Sequence, residues 1–282
     1  MKKYIIGAAV VTALVIGLPL ALGGNNKTTD PPAKQGSYVA LGDSVAAGVG
    51  LKYDSDSSAC DRTDQSYPTL TASKLNYQLH NLACSGATLP AGISGKQEVN
   101  KLLVSSQLQQ LFDLPKPQLI TITIGANDAQ WTKVLQKCYV AVCGSAEDAA
   151  DVQTSLATVT SNLQAVLDQL RQHYGATPPP IIVTGYHQVF PMTVSATCTD
   201  LTGIDASGLA YGRQLQSSIN DSLQVAVKAS HASFVPINFS GHELCSSDPW
   251  VQGLSDLQPY HPTAAGQAAF SSQIISAVKA AK

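Results

Sequence analysis

The chain has 282 residues, with 17 basic and 19 acidic side chains, a net charge of −2 and a pI near 6.3. That balance excludes a nucleic-acid binder that works by bulk charge. Only 13% of residues are charged and 44% are hydrophobic, which excludes a disordered chain. The glycines and prolines follow no period, which excludes collagen-like, low-complexity and solenoid classes.

Lys2 and Lys3 precede an uncharged apolar run from Tyr4 to Leu22, and residues 25–36 (NNKTTDPPAKQG) then turn polar. The run is longer than the ~7–15 residues of a signal-peptide core and close to the ~20 of a spanning helix. Pro19, Ala21 and Gly23 favour cleavage, so residues 1–24 read as either a signal peptide or an N-terminal membrane anchor. Both readings keep the two lysines inside and send the rest outward. The product is secreted, or tethered through residues 4–24 to the outer face of the cytoplasmic membrane. Residues 25–36 then form a polar linker, and residues 37–282 one domain.

Cys60, Cys84, Cys138, Cys143, Cys198 and Cys245 form an even set, and in an exported chain such a set predicts disulfides. Spacing alone leaves the pairing open, although joining sequence neighbours would close three local loops without crossing. Cys138 and Cys143 sit at the edge of zinc-ligand spacing with no second close pair beside them, so disulfides are favoured over a metal.

Tyr38–Leu41 (YVAL), Leu79–Ala83 (LHNLA), Leu119–Ile124 (LITITI), Ile181–Thr184 (IIVT) and Phe234–Ile237 (FVPI) read as strands. The strongest are continuously apolar rather than alternating, which predicts strands covered on both faces in a parallel sheet. Between them, Val152, Leu156, Val159, Leu163, Val166 and Leu170 recur at alternating steps of four and three. This predicts a long helix from Ala146 to His173, stopped by Gly175. Tyr211, Leu215, Ile219, Leu223 and Val227 form a second stripe, and Phe270, Ile274 and Val278 a third. Strands alternating with helices predict a three-layer α/β/α sandwich with a central parallel sheet. In such folds ligands bind beyond the carboxyl ends of the strands.

The residues after those strands form a chemical set. Gly42-Asp43-Ser44 follows the first strand, Ser85-Gly86-Ala87 the second, Gly125-Ala126-Asn127-Asp128 the third, and Tyr260-His261-Pro262 precedes the last helix. Each alone is an ordinary turn or helix cap. Together they supply a serine nucleophile, a histidine base to activate it, and an oxyanion hole from the N–H groups of Ser44 and Gly86 and the amide of Asn127. No cofactor or metal is implied.

The ordered set resembles the SGNH, or GDSL-type, serine hydrolase family. YVALGDS, ACSGAT, TIGAND, GYHQVFP, FSGHELC and YHPTAAGQ look like its secreted, disulfide-bearing branch of actinobacterial lipases and esterases. The resemblance implies a flavodoxin-like hydrolase fold, catalytic Ser44 and His261, an oxyanion hole at Ser44, Gly86 and Asn127, and pairs Cys60–Cys84, Cys138–Cys143 and Cys198–Cys245. It implies a small-molecule or lipid ester substrate, with an acylated glycan as another candidate and no nucleic acid.

One position departs from the pattern. Many members carry an aspartate three residues before the histidine, where this chain has Gln258; Asp256 lies two residues further back. A Ser44–His261 dyad with a backbone carbonyl behind the imidazole is therefore expected, with Asp256 as the candidate orienter otherwise. His80, His173, His187 and His231 show no partner pattern, and His242 reads as structural or substrate-facing. Leu51–Thr63 and Phe190–Gly208 are expected to shape acyl-chain choice. The function implied is exported carboxylic-ester hydrolysis, with acyl transfer to a sugar or alcohol, or a catalytically silent glycan- or lipid-binding module, as the alternatives.

Overall fold

The computed structural model describes residues 34–52, 59–195 and 197–281. The export segment expected over 1–24 and nearly all of the linker expected over 25–36 lie outside the described residues. Strand β1 spans Gly36–Gly42 and leads into a short helix, α1, Ser44–Ala47. Helix α2 (Tyr67–Leu75) and β2 (Tyr77–Asn81) follow, then the strand pair β3 (Gln97–Val99) and β4 (Leu102–Val104). Next come α3 (Gln107–Phe112), β5 (Leu119–Thr123), α4 (Trp131–Val140) and α5 (Ala146–Tyr174). The chain ends with β6 (Ile181–Thr184), α6 (Ala206–Lys228), β7 (Ser233–Val235) and α7 (Ala264–Ala280).

Five strands form one parallel sheet in the order β2-β1-β5-β6-β7. Helix α2 packs on α7, and α5 on α6, giving the three layers expected. Strands β1, β5 and β6 lie in the middle and are buried almost throughout, which explains their continuous apolar character. Expected strand limits shift by one or two residues at β1, β2, β5 and β7. The largest difference is what sequence periodicity left out: α2, α3, α4 and the β3–β4 pair.

The two faces of the sheet are chemically different. On β5, Thr121 and Thr123 alternate with Ile120 and Ile122, so the threonines share one face. That face carries a buried chain of hydroxyls: Tyr38 OH pairs with Thr121 Oγ1 at 2.6 Å, Tyr67 OH with Thr123 Oγ1 at 2.7 Å, and Thr123 Oγ1 with Thr184 Oγ1 at 2.6 Å. Tyr67 stacks on Phe270, so this is the α2–α7 side. The isoleucines face the other layer, where α5 buries Leu156, Val159, Leu163, Val166, Leu167 and Leu170. A Ser145 capping box starts α5 and Gly175 ends it, as its sequence signals require.

Buried glutamines fasten the elements together. Gln107 of α3 accepts from Gly42 N at 2.7 Å and donates to Gly42 O at 2.9 Å. Gln267 of α7 accepts from Tyr67 N at 2.7 Å and donates to Val45 O at 2.9 Å. Gln252 donates to Val49 O at 3.1 Å and Pro262 O at 3.0 Å. The cysteines pair as Cys60–Cys84, Cys138–Cys143 and Cys198–Cys245. Replacing Gln107 by methionine preserves volume but orphans the Gly42 N–H, so stability should fall by about 1–3 kcal/mol, read as a lower urea midpoint; an unchanged midpoint would show that the bond contributes nothing.

Candidate active site

The sheet delivers its turns to one edge. After β1 the chain turns at Gly42, whose φ of +148° and close approach to Thr123 O leave no room for a Cβ. Asp43 caps α1 by accepting from Val45 N at 3.0 Å, and its own N–H donates to Thr123 O at 3.0 Å. Ser44 is therefore the first residue of a helical turn braced against β5. His261 arrives from the loop before α7, and its Nε2 lies 2.7 Å from Ser44 Oγ across 217 residues of sequence.

The imidazole is held from behind by backbone. Its Nδ1 donates to Pro259 O at 3.2 Å, which fixes the tautomer and leaves Nε2 as the acceptor toward Ser44. Asp256 does not take that place: its carboxylate accepts from Gly253 N at 2.8 Å and makes no hydrogen bond to His261 among the described residues. Burial pushes the His261 pKa below the usual imidazole value, partly opposed by the carbonyls of Pro259 and Gln258. The ring is thus neutral, and basic at Nε2, at pH 7.

Asn127 follows β5 and Gly86 follows β2. The Asn127 amide donates to Ala87 O at 2.8 Å, and Asp128 accepts from Leu89 N at 3.0 Å, so the third motif grips the second. Gly86 adopts φ +75° on a turn secured by the Cys60–Cys84 disulfide and by Ser85 N donating to Cys60 O at 3.1 Å. Ser44, Asn127 and His261 line a cleft of about 380 Å³; Gly86 is not part of its lining, and the turn that carries it is tied to the cleft by the Asn127 bond to Ala87 O.

The cleft walls differ from expectation. They come from α4 (Trp131, Leu135, Tyr139), α6 (Gln216, Ile219) and Leu254, while no described residue of 51–63 or 190–208 contributes. Helix α4 supplies the wall because the Gly125–Asp128 turn feeds it directly over the cleft. His187 also differs from expectation: it lines the cleft and is 3% exposed. His242 stacks on Trp250 with ring centroids 3.6 Å apart, outside the lining.

Tyr186 and Asp43 are the parts that sequence reasoning missed. The Tyr186 hydroxyl donates to Asp43 Oδ2 and accepts from Ala126 N at 3.0 Å, tying the turn that carries Ser44 to the turn that carries Asn127. The signal was present, since Gly185-Tyr186-His187 follows β6 directly, as the other motifs follow β1 and β5. Burial drives the Asp43 carboxyl up to about 7, against the lowering effect of the Tyr186 hydrogen bond, and Asp128 up to about 6.

A carboxyl whose folded pKa lies above its unfolded value of 3.8 binds its proton more tightly when folded. The stability that Asp43 contributes is therefore fully present below 3.8 and is lost as pH rises through about 7. Asp43→Asn is expected to flatten the decline, leaving the smaller slope from Asp128, in urea midpoints measured across that window. An unchanged slope would exclude Asp43 as its source.

Residues 40–269 match the model of the GDSL-like lipase/acylhydrolase family. The chain is 32% identical over 274 residues to a lipase of Streptomyces rimosus, covering 92% of this chain and 93% of the relative. It superposes on the crystal structure of phospholipase A1 from Streptomyces albidoflavus NA297 with a TM-score of 0.67 and 30% identity, covering 86% of this chain and 98% of that one. The extracellular lipase of Streptomyces rimosus superposes with a TM-score of 0.62 and 29% identity, over 85% and 98%. With a strand-end serine and histidine in contact and a family match over most of its length, the chain belongs to the GDSL-like lipase/acylhydrolase family.

Proposed function

We propose that this protein is an exported carboxylic-ester hydrolase working through an acyl-enzyme on Ser44. The observation that carries the reading is the 2.7 Å contact between Ser44 Oγ and His261 Nε2 in the lining of a largely apolar cleft. His261 takes the serine proton as Ser44 attacks the ester carbonyl, then delivers it to the leaving alcohol. Water enters, and His261 acts again as base to release the acid. The N–H groups of Ser44 and Gly86 and the Asn127 amide hold the oxyanion. Proton transfer runs on a dyad, with Pro259 O in the role that a carboxylate fills elsewhere.

Trp131, Leu135, Val189, Ile219 and Leu254 make the cleft wall apolar, which suits an acyl chain; relatives named lipase and phospholipase A1 support a lipid ester. Three disulfides and the apolar run from Tyr4 to Leu22 support export.

The test is hydrolysis of p-nitrophenyl esters of increasing chain length by the purified protein. Ser44→Ala should lower kcat on the order of 10⁴-fold or more, Asn127→Ala about 10²- to 10³-fold, and Asp256→Ala should leave most activity. A loss for Asp256→Ala comparable to that for His261→Ala would overturn the dyad, and recovery of acylated acceptor instead of free acid would overturn hydrolysis. Because His261 is shifted down, the acid limb of kcat/KM should fall below the ordinary imidazole range, at about pH 6.5; a limb above that would contradict the base assigned.

A further inference from the structure

His187 lies directly behind the loop that carries His261. Its Nε2 is 3.1 Å from Tyr260 O, and a carbonyl can only accept, so Nε2 carries the proton and Nδ1 is bare. That Nδ1 is buried and has no hydrogen-bond partner among the described residues. The ring packs against Phe239 at 4.6 Å and Phe270 at 5.8 Å between centroids. No acid faces it to favour a charge, and burial drives its pKa down to about 3.

Tyr260 needs holding. It adopts φ +71°, a left-handed conformation that strains a non-glycine residue and persists only where its surroundings enforce it. Its N–H donates to Gln252 O at 2.8 Å, and Gln252 N donates to His261 O at 2.8 Å. Those bonds fix two sides of the turn. The carbonyl of the Tyr260–His261 peptide is the third, and His187 is its partner. A phenylalanine would fill the same aromatic pocket, so packing alone does not require a histidine here.

We propose that His187 is a positioning residue: by donating from Nε2 to Tyr260 O it locks the Tyr260–His261 peptide and so sets the imidazole of His261 against Ser44. This rests on the Ser44–His261 reading above. Although His187 also borders the cleft, it is 3% exposed, so its loss should appear chiefly in kcat rather than in substrate affinity.

The experiment measures kcat and KM on a soluble ester, and the rate at which a fluorophosphonate labels Ser44, in wild type, His187→Phe and His187→Gln. The phenylalanine keeps the shape and removes the donor; the glutamine amide restores it. For His187→Phe, kcat and labelling should drop together on the order of 10- to 100-fold with KM little changed, and His187→Gln should recover most of the loss. Wild-type rates in His187→Phe, or equal damage in both variants, would overturn the proposal. Failure of wild type to label at Ser44 would instead remove the catalytic reading itself. Should His187→Phe not fold, long-range ¹H–¹⁵N spectra of the wild type decide: His187 as the neutral Nε2–H tautomer at pH 7 supports the proposal, and an Nδ1–H or cationic ring overturns it.

Discussion

Parallel pairing is the constraint on which the site depends. Because β1, β5 and β6 run the same way side by side, the turns that follow them leave from one edge, and each contributes residues that line the cleft there. Ser44 follows β1, Asn127 follows β5, and Tyr186 with His187 follows β6. The Tyr186 hydroxyl then joins the first two turns by touching Asp43 and Ala126 at once. An antiparallel arrangement would send alternate turns to opposite edges, and no choice of side chains could recover the contact.

Burial tunes the same edge. Water exclusion lowers the affinity of His261 and His187 for a second proton and raises that of Asp43 for its first. All three effects favour the uncharged forms of the groups around Ser44. Behind His261 the Nδ1 partner is the carbonyl of Pro259, a group with direction and no net charge. Asp256 is diverted by the Gly253 N–H that follows Gln252 in the same loop.

The legible parts of the chain were those whose signals are local. β1, β5 and β6 announced themselves as short apolar runs, and α5 through its stripe and Gly175. Helix α4 did not, because it starts at Gln130, a left-handed residue with no side-chain cap, and leaves no start signal to read. The same division holds at the edge of the sheet. Ser44, Asn127 and His261 stand in motifs next to elements that could be recognised. Asp43, Tyr186 and His187 matter through partners 143 residues away in one case and 73 in another, and through burial, neither of which a linear pattern encodes. Sequence nearness also misled in one place, since Asp256 lies close to His261 along the chain and yet points elsewhere.

The glutamine fasteners have a consequence for where such a protein can work. Gln107, Gln252 and Gln267 join distant segments with amide groups that carry no net charge, and the lysine and arginine ion pairs among the described residues, Lys137–Asp148 and Arg171–Asp168, lie at the periphery. Dissolved ions weaken attraction between exposed charges but leave buried amide contacts almost untouched. A scaffold bolted in this way has little to lose in brine, and little to gain in dilute water.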